Sequence, residues 1–132
     1  MNRKLLAGMA PLAALLILSG LPILAHHGVD PSYDATHPTT LQANVTAFEF
    51  INPHAKLYFE VKGENGNVEK WSAEMGSPNS LRRNGWTKDT IKPGDEIKIT
   101  GAAAKDGSKK MVLQKLVFSD GRPAPQAGGL LD

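Results

Sequence analysis

Between residues 55 and 62 the chain alternates without a break. Ala55, Leu57, Phe59 and Val61 are apolar, and Lys56, Tyr58, Glu60 and Lys62 lie between them. A period of two sends successive side chains to opposite faces of an extended strand. Such a strand must cover one face and leave the other in water, as antiparallel sheets do. Glu64-Asn65-Gly66-Asn67 follows, and then a second run from Val68 to about Glu74 with Trp71 and Ala73 facing inward. Two such runs around an Asn-Gly turn predict a β-hairpin.

The same period appears on either side of the hairpin. Leu41, Ala43 and Val45 alternate with Gln42, Asn44 and Thr46, and then Phe48 and Phe50 take the apolar positions. A one-residue slip of phase predicts a bulge that bends this first strand. Asn52-Pro53 ends it. Ser77-Pro78 reads as a helix cap followed by proline at the first helical position. A short helix is expected over Asn79 to Asn84, with Gly85 as its stop. Lys92-Pro93-Gly94-Asp95 is a tight turn. A fourth strand is expected from Glu96 to Thr100 and a fifth from about Lys110 to Phe118, with a loop over 104–109.

The order strand, strand, strand, helix, strand, strand predicts an all-β domain with one short helix. It matches a five-stranded OB-like Greek-key barrel, and the alternative is a small open β-sandwich. The expected core is Val45, Phe48, Phe50, Leu57, Phe59, Val61, Trp71, Leu81, Ile97, Ile99, Leu113 and either Leu116 or Val117. The barrel domain is placed at 41–119. Residues 26–40 are expected to be an irregular N-terminal segment, and residues 120–132 a loose Gly/Pro/Ala-rich tail.

The first 25 residues read as an address. Arg3 and Lys4 precede an apolar run from Leu5 to Leu18, and Ala25 ends a short stretch that offers a cleavage site. This is the layout of a secretory signal peptide. The run is shorter than the roughly 20 residues needed to span a bilayer. The expectation is a periplasmic or secreted bacterial protein with no stable membrane insertion after cleavage. Arg3 and Lys4 account for the whole formal excess of +2. The mature chain is therefore neutral, which argues against nucleic acid as a partner. Cysteine is absent, so disulfides, thiolate metal sites and thiol nucleophiles are excluded.

Several landmarks now stand in order: His26-His27, Tyr33-Asp34, Val45-Thr46 with Phe48, and Asn52-Pro53-His54-Ala55. Trp71 with Glu74, Leu81, Gly85-Trp86, Pro93-Gly94-Asp95 and Asp106-Gly107 follow. As a set they resemble a family of short exported bacterial proteins, domain of unknown function 6152, from His26 to about Gly121. The resemblance implies export and a small β-rich domain. It implies no activity.

The histidines are the concentrated chemistry. His26, His27, His37 and His54 are the four in the chain. Imidazole is a ligand for copper and zinc. Cleavage after Ala25 makes His26 the N-terminal residue, whose α-amine and ring nitrogen can chelate one ion. A third nitrogen from His54, held at the end of the first strand by Asn52-Pro53, would complete a set suited to Cu(II) or Zn(II). His27 and His37 are further candidates. The competing reading is structural: an exposed terminus, and a His54 that orients a turn.

A second class of function rests on aromatics. Trp71 and Trp86 would form a platform for a glycan or an envelope protein on the barrel face. Their alternative is the core. Catalysis finds little support. Glu74 has no evident carboxylate partner, and Ser72, Ser77 and Ser80 lack a nucleophile-elbow setting. Asp106-Gly107 lacks the oxygen ladder of a calcium loop. The expectation is an exported binding protein rather than an enzyme.

Overall fold

The computed structural model describes residues 30–127. Five strands and one helix follow the expected order: β1 Tyr33–Glu49, β2 Lys56–Lys62, β3 Val68–Glu74, α1 Pro78–Arg83, β4 Glu96–Ala104 and β5 Lys110–Phe118. The strands close into a barrel in the order β1-β2-β3-β5-β4. Neighbours are antiparallel except β3 and β5, which run parallel over Ser72↔Lys110, Ala73↔Met111 and Glu74↔Val112. This closed OB-like order excludes the open sandwich.

The bulge in β1 lies where the phase slips. Val45 faces Phe59 and Ala47 faces Tyr58, so Thr46 is the extra residue. The bend lets one long strand pair with β2 at one end and β4 at the other. The β2–β3 register is unbroken from Lys56↔Glu74 to Lys62↔Val68, around Gly66 at φ 80°. The Ser77 hydroxyl accepts the Ser80 N–H at 3.2 Å and caps α1. Gly85, at φ 92°, takes the left-handed conformation that lets the chain leave the helix.

Two expectations need correction, and one open choice is resolved. Residues 33–40, expected to be irregular, belong to β1: Tyr33 and Asp34 pair with Ala104 and Ala103, and Thr39 resumes opposite Gly101. The intervening residues bulge outward around the Asp34 carboxylate, which accepts the Thr36 N–H and hydroxyl and the His37 N–H. Tyr33 and Asp34 meet the Ala103–Ala104 end of β4, which carries no polar alternation to announce a strand. Residues 120–127 are not a loose tail. Ala124 and Ala127 pack on the core, and Trp86 Nε1–H donates to the Gln126 carbonyl at 2.6 Å. Leu116, not Val117, is the core residue of that pair; Val117 is exposed.

The rest of the expected core is buried or packed against it, with Phe48, Phe50 and Trp71 only partly covered. Met75, Trp86, Ile91, Met111 and Phe118 are also fully buried or nearly so. Phe118 enters because Leu113 faces Gly101 and Lys115 faces Thr100, so Gln114 is extra and the inward phase of β5 slips once.

Candidate functional site

The hairpin register extends past Lys56↔Glu74. Ala55 N–H donates to the Gly76 carbonyl at 3.1 Å, and Met75 N–H to the Ala55 carbonyl at 2.9 Å. That extension carries His54 to the side of Glu74. His54 Nδ1 lies 2.5 Å from Glu74 Oε1, with the two side chains 38% and 33% exposed. The Asn52–Pro53 bond just before it is cis. A carboxylate oxygen this close favours the tautomer with its proton on Nδ1, in which Nε2 is the nitrogen that carries the lone pair. Glu74 therefore does have a partner, and it is an imidazole.

Tyr33 lies within the electrostatic field of Glu74. Its hydroxyl is pushed above its ordinary pKa by burial first, then by the negative fields of Glu74, Asp30 and Asp106. Asp30 is held nearby, because its carbonyl accepts the Tyr33 N–H at 2.9 Å. The end of β3 and the start of β2 thus meet at one imidazole and one carboxylate, and Tyr33 at the entry of β1 feels the negative fields of Glu74, Asp30 and Asp106.

His37 sits elsewhere, in the outward bulge of β1, and its side chain is 84% exposed. Its Nδ1 lies 3.2 Å from Asp34 Oδ2 and 3.0 Å from Thr36 Oγ1. The Asp34 carboxyl is held down at about 2, chiefly by the Thr36 hydroxyl and then by the His37 ring and the two backbone N–H groups. Among the described residues no three His, Asp or Glu side chains gather as a complete metal-ligand set. His26 and His27 lie outside the described residues.

The tryptophans do not form a shared platform. Trp86 is 1% exposed, and its ring packs 6.0 Å from that of Phe48. It has no free face for a ligand. Gly85 at positive φ turns the chain so that this side chain enters the core. Trp71 is partly buried and stacks on Phe59 at 6.5 Å. Lys109 Nζ sits 5.2 Å from the Trp71 ring centroid, and Glu69 accepts its indole N–H at 3.1 Å. That hydrogen bond, with Lys109 behind it, lowers the Glu69 carboxyl pKa. Trp71 is thus held by its own neighbours.

Sequence reasoning missed the partner of His54 and the strand that holds Tyr33. Glu74 was visible in principle, since counting back from the Asn65-Gly66 turn sets it opposite Lys56. Tyr33 was not, because its strand pairing rests on featureless alanines.

No helix among the described residues is long and apolar enough to cross a membrane. No curated protein and no solved structure matches the chain. A model of a family of unknown function, DUF6152, matches residues 14–113. That span takes in the Asn52-Pro53-His54 loop, Trp71, Glu74 and Gly85-Trp86, and with that much of its length matched, the chain belongs to the DUF6152 family.

Proposed function

We propose that this is an exported, non-enzymatic protein that binds one divalent metal ion, Cu(II) or Zn(II), through His54 Nε2 and histidine nitrogens of the N-terminal segment. The observation that carries the reading is the His54–Glu74 pair. Metal-ligating histidines nearly always give their second ring nitrogen to a carboxylate or carbonyl, which sets the tautomer and raises ligand basicity. Glu74 stands in that position at Nδ1, which leaves Nε2 as the nitrogen to offer a metal.

The rest of the set would come from the segment before Asp30, whose carbonyl accepts the Tyr33 N–H; Tyr33 feels the fields of both Asp30 and Glu74. At about 3.3–3.6 Å per extended residue, a histidine three or four positions earlier reaches roughly 10–14 Å from Asp30. With signal cleavage after Ala25, His26 brings its α-amine and ring, and His27 follows as an alternative. Copper suits three nitrogens in a tetragonal arrangement, and zinc tolerates the same ligands with a carboxylate added. His37 keeps its own partner in Asp34 and is assigned to the bulge rather than to the metal.

The test uses the exported protein, its N-terminus read by mass spectrometry. Calorimetric titration with Cu(II) and with Zn(II) should show one equivalent. Binding should tighten as pH rises through the α-amine range of about 7.7–8.0. His54→Ala and His26→Ala should each weaken it, and His37→Ala should not. A titration unaffected by both His54→Ala and His26→Ala would overturn the reading.

A further inference from the structure

Within the closed barrel, the later part of β5 has no strand partner on its β3 side. Ser119 N–H donates to the Glu96 carbonyl at 2.9 Å, across the β4 side of β5. Backbone polar groups alternate sides along a strand, so Val117 and Lys115 also turn theirs toward β4. Leu116 and Phe118 turn theirs the other way. On that other side β3 pairs only with Lys110, Met111 and Val112. Gly121 N–H donates to the Phe118 carbonyl at 3.1 Å, and among the described residues no backbone hydrogen bond from outside the strands reaches Leu116.

The chain doubles back past this edge without filling it. Residues 121–126 run opposite Gln114–Val117 and enclose a cleft of about 580 Å³ between the two. Pro123 and Pro125 have no N–H to give. Among the described residues no backbone hydrogen bond joins 122–127 to β5. The segment is anchored instead at its far end, by Trp86 on the Gln126 carbonyl.

The rim has a sign. Lys115 lines the cleft and also a second basin of about 560 Å³ on the outer face, with Lys98, Thr40 and Thr100. No aspartate or glutamate lines either one. Lys98 faces Val117 and Lys115 faces Thr100, so the two lysines are diagonal neighbours. Neither joins an ion pair among the described residues, whereas Arg122 is committed to Asp120 and Asp95.

We propose that the β5 edge from Gln114 to Val117 is a docking site for an extended acidic peptide. The peptide adds a strand through the Leu116 N–H and carbonyl and sets alternate carboxylates against Lys98 and Lys115. A free strand edge is matched by a partner with its own unpaired N–H and C=O groups, which an extended peptide has and a polysaccharide lacks. Two lysines without an ion pair among the described residues, Lys115 on that strand and Lys98 one strand further in on β4, select acidic over basic partners. They also set like charges together when a second copy of this chain approaches edge to edge. The site is independent of any metal.

The test titrates the isotopically labelled exported protein with a peptide of alternating Glu and Val, about eight residues long to match a strand. A Lys/Val peptide of the same length and a polyuronate serve as comparisons. The Glu/Val peptide should slow exchange of the Leu116 amide. Lys98→Ala and Lys115→Ala, both exposed, should each weaken binding by roughly 3–10-fold. Unchanged Leu116 exchange would overturn the proposal, as would equal binding of the Lys/Val peptide or a response to the polyuronate alone.

Discussion

Trp86 and Gln126 are joined by a 2.6 Å hydrogen bond from the indole Nε1–H to a backbone carbonyl. The bond ties the C-terminal segment to a ring that is otherwise buried among Phe48 and the core. A stretch rich in glycine, proline and alanine thereby becomes part of the folded unit.

Trp86→Phe removes the donor and leaves both a void and an unpaired carbonyl. The variant should lose roughly 2–4 kcal/mol, within the range for large core truncations combined with a lost buried hydrogen bond. Urea denaturation measures this. A chain ended after Arg122 should shift the same way, because the indole N–H then has no acceptor. Unchanged stability in both would show that the clasp contributes nothing.

Gly101 lies where β4 passes the slipped register of β5. A Cβ there would stand 2.4 Å from the Val112 carbonyl oxygen and 2.9 Å from Met111 Sδ. The first neighbour is backbone and cannot swing aside. Gly101→Ala should therefore destabilise the barrel by about 1–3 kcal/mol, the usual size of overpacking. A thermal melt with an unshifted midpoint would contradict this close approach.

Asp34 should titrate abnormally low. Its carboxyl is held at about 2 by the Thr36 hydroxyl, the His37 ring and two backbone N–H groups. Its folded value lies below its unfolded one, so its contribution to stability is complete above about pH 4 and is lost as pH falls toward 2. Thr36→Val removes the largest of these interactions and should move the carboxyl upward, read by carbon NMR of the Asp34 side chain. A value that stays put would assign the shift to the backbone turn instead.

Glu74→Gln keeps the size of the side chain and removes its charge. If Glu74 orients the imidazole, metal affinity should fall by roughly 10–100-fold, the usual effect of losing such a partner. The fold should persist, because the side chain is partly exposed at a strand end. Competition with a chelator measures the affinity. An unchanged value would reduce the His54–Glu74 contact to an ordinary surface ion pair.

Strong periodicity made most of the barrel legible. The Ala55–Val61 alternation, the Asn65-Gly66 turn, the slip at Thr46 and the Ser77-Pro78 cap each translate into one local structure, and each stands where its residues put it. Alanines and loops were not legible in this way. Ala102–Ala104 extend β4 without any alternation, so the early start of β1 at Tyr33 was hidden. Trp86 and Gln126 are far apart in sequence, and no local pattern links a loop tryptophan to a carbonyl in a Gly/Pro-rich segment. The site divides along the same line. His54 announced itself by its chemistry, whereas Glu74 became its partner only once the β2–β3 register brought the two side by side.

The central claim is that His54 is a ligand. Pulsed electron paramagnetic resonance of the Cu(II)-loaded exported protein counts the imidazoles on the metal directly. Two inequivalent imidazoles should appear, and one set of nitrogen couplings should vanish in His54→Ala while the other persists. An identical spectrum from protein and variant would contradict the claim.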